Sequence, residues 1–161
     1  MAISVVTTGP ALVRVDTGAS GALEDLGYSI NGVEITETVL ETDVPGDQNG
    51  GDEGPPIDIQ YLGQIDRVRM ELSKYDIAVA DKIRARLLGG TAGIIGTPGT
   101  LIAGTNVFYR LLILPTTNPR NYVAAIPREP IEVNRGTKFS RLVIEFECHA
   151  FSGTLWNVVT A

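Results

Sequence analysis

The chain has one cysteine, Cys148, and one histidine, His149, in 161 residues. A single thiol closes no internal disulfide, and one thiol with one imidazole falls short of the four ligands of a structural zinc site. This cysteine usage suits synthesis in a reducing, intracellular place. Long apolar runs are missing too: none reaches the ~20 residues that span a bilayer. The first ten residues lack the basic start and apolar stretch of a signal peptide, so the expectation is a soluble protein that is not secreted on its own. Positive charge is absent from a whole third of the chain. Between Arg14 and Arg67 stand twelve acidic residues and no Lys or Arg, whereas from Arg67 onward there are twelve basic and seven acidic residues. The net charge of −6 argues against a surface that grips phosphate, which needs clustered cations. The asymmetry can steer complementary surfaces of neighbouring copies together, although a solvated acidic face that aids solubility has the same pattern.

What is present is mostly strand. Residues 11–16 form a short strand, and residues 26–30 and 33–40 flank Asn31-Gly32, a dipeptide suited to the positive φ angles of a tight hairpin turn. Residues 43–56 (DVPGDQNGGDEGPP) hold glycine, proline and acids with Val44 as the sole apolar anchor, and read as a long extended loop. Strands follow at 57–62 and 65–72, where Val68, Met70 and Leu72 alternate with Arg67, Arg69 and Glu71. Ser73 and Asp76 resemble a capping box, Tyr75, Val79, Ile83 and Leu87 recur every four residues, and Gly89-Gly90 ends the run. The spacing predicts an amphipathic helix over 74–88.

Residues 89–104 (GGTAGIIGTPGTLIAG) are small, apolar and uncharged, a loop that packs either on its own core or on something else through Ile94, Ile95, Leu101 and Ile102. Further strands are expected at 106–114, 121–126, 131–133, 138–151 and 154–159, the long one marked by strict alternation of Leu142, Ile144, Phe146 and Cys148 with Arg141, Val143, Glu145 and Glu147. With no internal repeat and no linker, residues 1–161 read as one domain, long enough to bury roughly two-thirds of its unfolded surface. The fold class is mainly β: an antiparallel β-barrel or sandwich with one flanking α-helix and a long extended loop.

Candidate chemistry is sparse. Asp16-Thr17-Gly18-Ala19-Ser20, with Gly93-Ile94-Ile95-Gly96 further on, resembles the active-site segments of aspartic proteases. Such enzymes share one proton between two carboxylates, so a chain with a single copy has to dimerise. Here Thr97-Pro98-Gly99 stands where the retroviral type places a helix, and Asp-Thr-Gly is a common strand-to-turn sequence. The turn is the reading kept, with a dimeric aspartic protease as a remote alternative. Asp43, Asp47, Asn49 and Asp52 miss the spacing of a calcium loop. His149 stands among glutamates on a polar strand face, and no nucleophile or phosphate-cradling loop is recognisable. The expectation is therefore no enzyme, no metal, no cofactor, no small-molecule substrate and no membrane partner.

Whole-chain pattern points further. The stretch Leu26-Gly27-Tyr28-Ser29-Ile30-Asn31-Gly32-Val33-Glu34-Ile35 is followed by an acidic arm ending in Pro56-Ile57-Asp58-Ile59-Gln60, then by Gly63 and an alternating strand leading into a helix. This order, together with Arg135-Gly136-Thr137-Lys138-Phe139-Ser140-Arg141-Leu142 before a long strand, resembles the tail-tube proteins of bacteriophages and related virion proteins. The resemblance covers most of the chain. It implies hexameric rings that stack into a tube around a DNA channel, DNA passing without specific contact, other phage structural proteins as partners, and a place in the virion after assembly in the host bacterial cytoplasm. The arm over 43–56 and the flanking helix over 74–88 carry over; the apolar loop 89–104 has no counterpart.

Read from the residues alone, an acidic subunit suits a channel that must not hold phosphate, and unlike surfaces suit head-to-tail stacking. The arm acids Asp43, Asp47, Asp52 and Glu53 are expected to meet a basic surface of another copy built from Arg67, Arg69, Arg84 and Arg86. A capsid decoration or cement protein stabilising the phage head, docking through Ile94, Ile95, Leu101 and Ile102, is the alternative.

Overall fold

A strand that alternates Val68, Met70 and Leu72 with Arg67, Arg69 and Glu71 has one face for a core and one for water. In a computed structural model of the chain these residues lie within a strand of that character. The structure describes residues 10–18, 22–46, 56–84, 98, 109–114, 119–134, 141–150 and 152–158. Among them are seven strands, β1 (Ala11–Asp16), β2 (Glu24–Val44), β3 (Asp58–Tyr75), β4 (Tyr109–Leu114), β5 (Arg120–Asn134), β6 (Arg141–His149) and β7 (Trp156–Val158), with one helix, α1 (Ile77–Arg84). All pairings are antiparallel, and the order β4-β1-β2-β3-β6-β5 is closed by pairing of β4 with β5. The mainly β, barrel-like fold with one helix is therefore the fold expected. Strand β7 pairs with Arg120, Asn121 and Tyr122 of β5.

Inward side chains fill the barrel. Val13, Val15, Leu26, Val68, Met70, Leu72, Tyr122, Leu142, Ile144, Phe146 and Cys148 are buried in one cluster, joined by Val79, Ala80 and Ile83 of α1. The helix contacts β2 and β5. Those strands stand on opposite walls of the ring, so α1 lies across one mouth of the barrel. Its start is fixed by Asp76, whose carboxylate accepts hydrogen bonds from the backbone of Ala78 at 2.8 Å and Val79 at 3.3 Å. This is an N-cap, relieving amides that have no intrahelical partner.

Several boundaries differ from the sequence expectation. The helix begins at Ile77 and not at residue 74, because β3 continues to Tyr75, where Gly27 pairs with Tyr75 and Tyr28 with Lys74. Residues 85–88 and the apolar loop 89–104, apart from residue 98, lie outside the described residues. Asn31-Gly32 is not a hairpin turn. Strand β2 runs through it, with Ser29 opposite Leu72 and Val33 opposite Met70, so residues 30–32 bulge out of the ladder. Gly32 does take a positive φ of 81°, and Ser29 Oγ donates to its carbonyl. The positive-φ glycine is absorbed as a bulge because both halves of β2 find partners on the same long β3.

The strands expected at 57–62 and 65–72 are likewise one strand, and those at 121–126 and 131–133 are one strand with a register shift between Arg128 and Glu132. Pro130 falls in that shift, where a residue without an N–H costs the ladder nothing. Asp43 and Val44 belong to β2, so the arm starts later than expected. The 3.0 Å bond from Ile57 N to Val44 O continues the pairing toward the tip.

Candidate assembly surface

Strand β3 pairs with β6 from Leu72 down to Asp66 and no further, while β1 pairs with β2 only as far as Ser29. Beyond the facing pair Glu37 and Asp66, β2 and β3 have only each other among the described residues. Residues 38–44 and 58–65 therefore form a two-stranded ribbon that leaves the barrel at the mouth opposite α1. It extends about 20–25 Å at the usual strand rise.

The ribbon is not polar throughout. Val39, Leu40, Ile57, Ile59, Tyr61 and Leu62 at and near it are 39% to 62% exposed. Pairing assigns them to faces, since directly opposed residues share one. Val39 with Gln64, Glu41 with Tyr61 and Asp43 with Ile59 continue the face that lines the barrel. Thr38 with Ile65, Leu40 with Gly63 and Thr42 with Gln60 lie on the other, the register shifting after Leu40. One face thus sets acids beside apolar side chains, and the other carries no charge until Asp58 opposite Val44. An isolated two-stranded ribbon is marginal in water, and its outer edges carry backbone groups that no described strand satisfies.

The root of the ribbon is a polar cluster. Glu37 and Asp66 face each other across β2 and β3, a like-charge pair that repels unless a cation joins it. Arg120 of β5 supplies one: its Nη1 donates to Glu37 Oε1 at 3.0 Å and lies 3.8 Å from Asp66 Oδ2. The guanidinium also reaches Tyr122 OH at 3.3 Å and stacks 4.4 Å from the Trp156 ring centroid. Asp66, fully buried, accepts from Tyr122 OH at 2.9 Å and from Gln64 Nε2 at 2.9 Å. Burial alone would lower the Arg120 pKa, but the hydrogen bonds to Tyr122 and Glu37 outweigh it and hold the guanidinium above its usual range. Burial raises the Tyr122 hydroxyl, and Asp66 beside it acts in the same direction.

Of the residues singled out from the sequence, Asp43 lies on the ribbon's acidic face, while Asp47, Asp52 and Glu53 are outside the described residues. Arg67 is on the outer wall of the barrel, 3.8 Å from Glu147, which also draws Arg128 at 3.5 Å and His149 at 2.9 Å. Arg69 stands in register between Glu34 and Glu145. Arg84 is 3.2 Å from Asp81 on its own helix, and Arg86, Ile94, Ile95, Leu101 and Ile102 lie outside the described residues. The structure does not gather Arg67, Arg69 and Arg84 into one patch: two are on β3 and one is on α1. Charge on the outer wall is instead laid out as cross-strand rows, Glu34-Arg69-Glu145-Arg128 being one.

The Asp-Thr-Gly segment ends β1 at the helix-capped mouth. Asp16 is fully buried and accepts from Gly18 N at 3.1 Å, the turn geometry its sequence favours. Thr17 Oγ1 donates to Glu24, and Lys82 of α1 meets the same carboxylate at 2.6 Å. Cys148 faces the core, where burial pushes its thiol pKa up and away from reactivity. Among the described residues no group of three or more His, Cys, Asp or Glu could hold a metal ion, and no helix is long and apolar enough to cross a membrane.

Sequence reasoning missed both the exposed ribbon and the Arg120 cluster. Ile57, Ile59 and Tyr61 were legible as strand, but a period of two is the same in a barrel wall and in a free ribbon. The signal that separates them is the neighbour: these residues follow directly on an acid- and glycine-rich stretch with no apolar partner of its own. Compared with models of known protein families the chain matches none. Comparison with curated proteins gives no match either.

Proposed function

We propose that the chain is a structural subunit of a bacteriophage particle that assembles with copies of itself, most nearly in the manner of a tail-tube protein forming stacked hexameric rings around a DNA channel. The observation that carries this reading is the ribbon. Six large apolar side chains stand exposed at a two-stranded projection whose edges no described strand pairs, and soluble proteins protect such edges unless a partner uses them. Fully burying an exposed side chain of this size is worth roughly 1.5–3 kcal/mol, and these are about half exposed, so a neighbour that covers the ribbon recovers about half of that from each.

The charges fit the same picture. Glu41 and Asp43 stand on the ribbon face that carries Val39, Ile59 and Tyr61, where cations of a covering neighbour can meet them, and a chain of net charge −6 suits a channel that passes DNA without binding it. The order of features along the chain, which resembles tail-tube proteins, supports the same reading. The role is structural, with other phage structural proteins as further partners and the virion as its location.

The test is negative-stain electron microscopy of the purified protein together with its mass by light scattering. Rings or tubes of uniform width are the expected result. A stable monomer or trimer that forms neither would overturn the tube reading in favour of capsid decoration.

A further inference from the structure

We infer that Arg120 is the positioning residue of the ribbon: it locks the ribbon at one angle to the barrel and so prepares the subunit for assembly. This rests on the proposal that the ribbon is an assembly surface, but the locking itself stands on separate geometry. Glu37 and Asp66 form the last row at which the hairpin still touches the barrel, since Asp66 is the terminal β3 residue paired with β6, through Cys148. Any swing of the ribbon turns about that row. A two-stranded ribbon that no described strand flanks resists bending and twisting poorly, so something at the root has to define its direction.

One side chain touches every part that meets there. Arg120 reaches Glu37 on β2 at 3.0 Å and lies 3.8 Å from the buried carboxylate of Asp66 on β3. It starts from β5, on the far side of β6, and its guanidinium is sandwiched against Trp156 of β7 at 4.4 Å while contacting Tyr122 OH at 3.3 Å. All of these polar contacts are made by Nη1, and a planar guanidinium stacked on Trp156 keeps that one nitrogen in place between the two carboxylates better than a flexible ammonium does. The facing carboxylates repel when the cation is gone, which pushes the two ribbon strands at their root out of register with the barrel wall. Holding a binding element in its bound direction beforehand lowers the entropy lost on association, so Arg120 acts on assembly without itself being covered by a neighbour.

The experiment labels Thr42→Cys on the ribbon and Lys74→Cys at the helix-capped end with spin labels, leaving Cys148 in place because it is fully buried. Pulsed dipolar spectroscopy, run below the assembly concentration, then reads the distribution of distances within one subunit. Wild type should give one narrow distribution. Arg120→Gln and Glu37→Ala should both broaden it. Glu37 is half-exposed at the ribbon root, so Glu37→Ala removes the oxygen that Arg120 holds, leaves Asp66 satisfied by Tyr122 and Gln64 and should keep the barrel's unfolding midpoint, whereas a purely structural role would move midpoint and not angle.

In the same variants the concentration at which half of the protein is assembled should rise by about tenfold, and Arg120→Lys should recover only part of that loss. Distributions as narrow in both variants as in wild type overturn the inference. So does a broadened ribbon with unchanged assembly. A wild-type protein that stays monomeric at every concentration overturns the assembly reading alone, because the distance measurement then still decides whether Arg120 holds the ribbon.

Discussion

Residues 66–72 of β3 and residues 57–62 just before them carry the same kind of side chain and meet opposite surroundings. In the first stretch Val68, Met70 and Leu72 are buried and Arg67, Arg69 and Glu71 face out; in the second Ile57, Ile59, Tyr61 and Leu62 are as exposed as the polar residues between them. The flanking strand makes the difference. Where β6 lies alongside, the wall curls and encloses one face; where it stops, both faces see water. The comparison teaches that in this chain apolar alternation marks two kinds of surface, one covered by the fold and one left exposed by the described residues.

The widest gap between the two regions should appear on truncation. Phe146→Ala removes a fully buried ring and is expected to cost about 3–5 kcal/mol of unfolding free energy in urea titrations. Ile59→Ser with Leu62→Ser, on the ribbon, should change the stability of the free subunit by no more than about 0.5 kcal/mol while abolishing rings or tubes in electron micrographs. A ribbon variant as unstable as the core variant would mean that the ribbon folds back onto the barrel in solution, and the contrast would be gone.

A smaller loss is expected at Gly27, where β2 presses on the turn into the helix. A Cβ there would stand 2.3 Å from the Lys74 carbonyl oxygen and 2.8 Å from Tyr75 Cα. Neither is a side-chain end that can step aside, so Gly27→Ala should cost about 1–3 kcal/mol. Gly63, on the ribbon, meets nothing within 4 Å. The measurement that sharpens the comparison is the unfolding midpoint of Gly27→Ala against wild type.

How much of this was legible beforehand follows the same division. Strand β1 was readable in full, and the core face of β3 and β6 was readable residue by residue, because alternation reports burial wherever a wall is closed. Asn31-Gly32 misled: its positive φ is real, but whether such a glycine turns the chain or bulges it depends on the partner strand, and β3 is long enough to pair both halves of β2. Residues 74–75 were assigned to the helix from their spacing with Val79 and Ile83, yet the ladder with Gly27 and Tyr28 claims them first. Arg120 carried no local signal at all. Its neighbours Glu37, Asp66 and Trp156 come from four different strands together with it, and only closure of the barrel brings them to one point.

The helix-capped mouth can be loosened in a graded way. Asp76→Ala removes the side chain that caps α1 and should cost about 0.5–2 kcal/mol, read as a lower midpoint in thermal unfolding followed by circular dichroism. The labels at Thr42 and Lys74 should meanwhile report a distance distribution no broader than that of the parent, since the cap follows the last residue of β3 while the ribbon root at Asp66 lies ten residues earlier, where the pairing with β6 ends. A broadened distribution would show that the two mouths are coupled through the barrel.

The finest test uses protons at the same mouth. Glu24 accepts hydrogen bonds from Lys82 and Thr17, and these, with the charge of Lys82, hold its carboxyl below its ordinary 4.5 in spite of partial burial. A carboxyl whose pKa is lower folded than unfolded contributes stability that is complete above the unfolded value and lost as pH falls through the folded one. Stability should therefore fall with a component from Glu24 that begins near pH 4.5 and grows toward lower pH. The effect is small, because the ion pair is about one-third exposed and water screens it. Lys82→Met removes the largest cause of the shift, so its urea midpoint should run below wild type at neutral pH and converge with it in acid. A variant curve that stays parallel to wild type throughout would mean that packing of Val79, Ala80 and Ile83 alone holds the helix across the barrel, and that the charges around it are spectators.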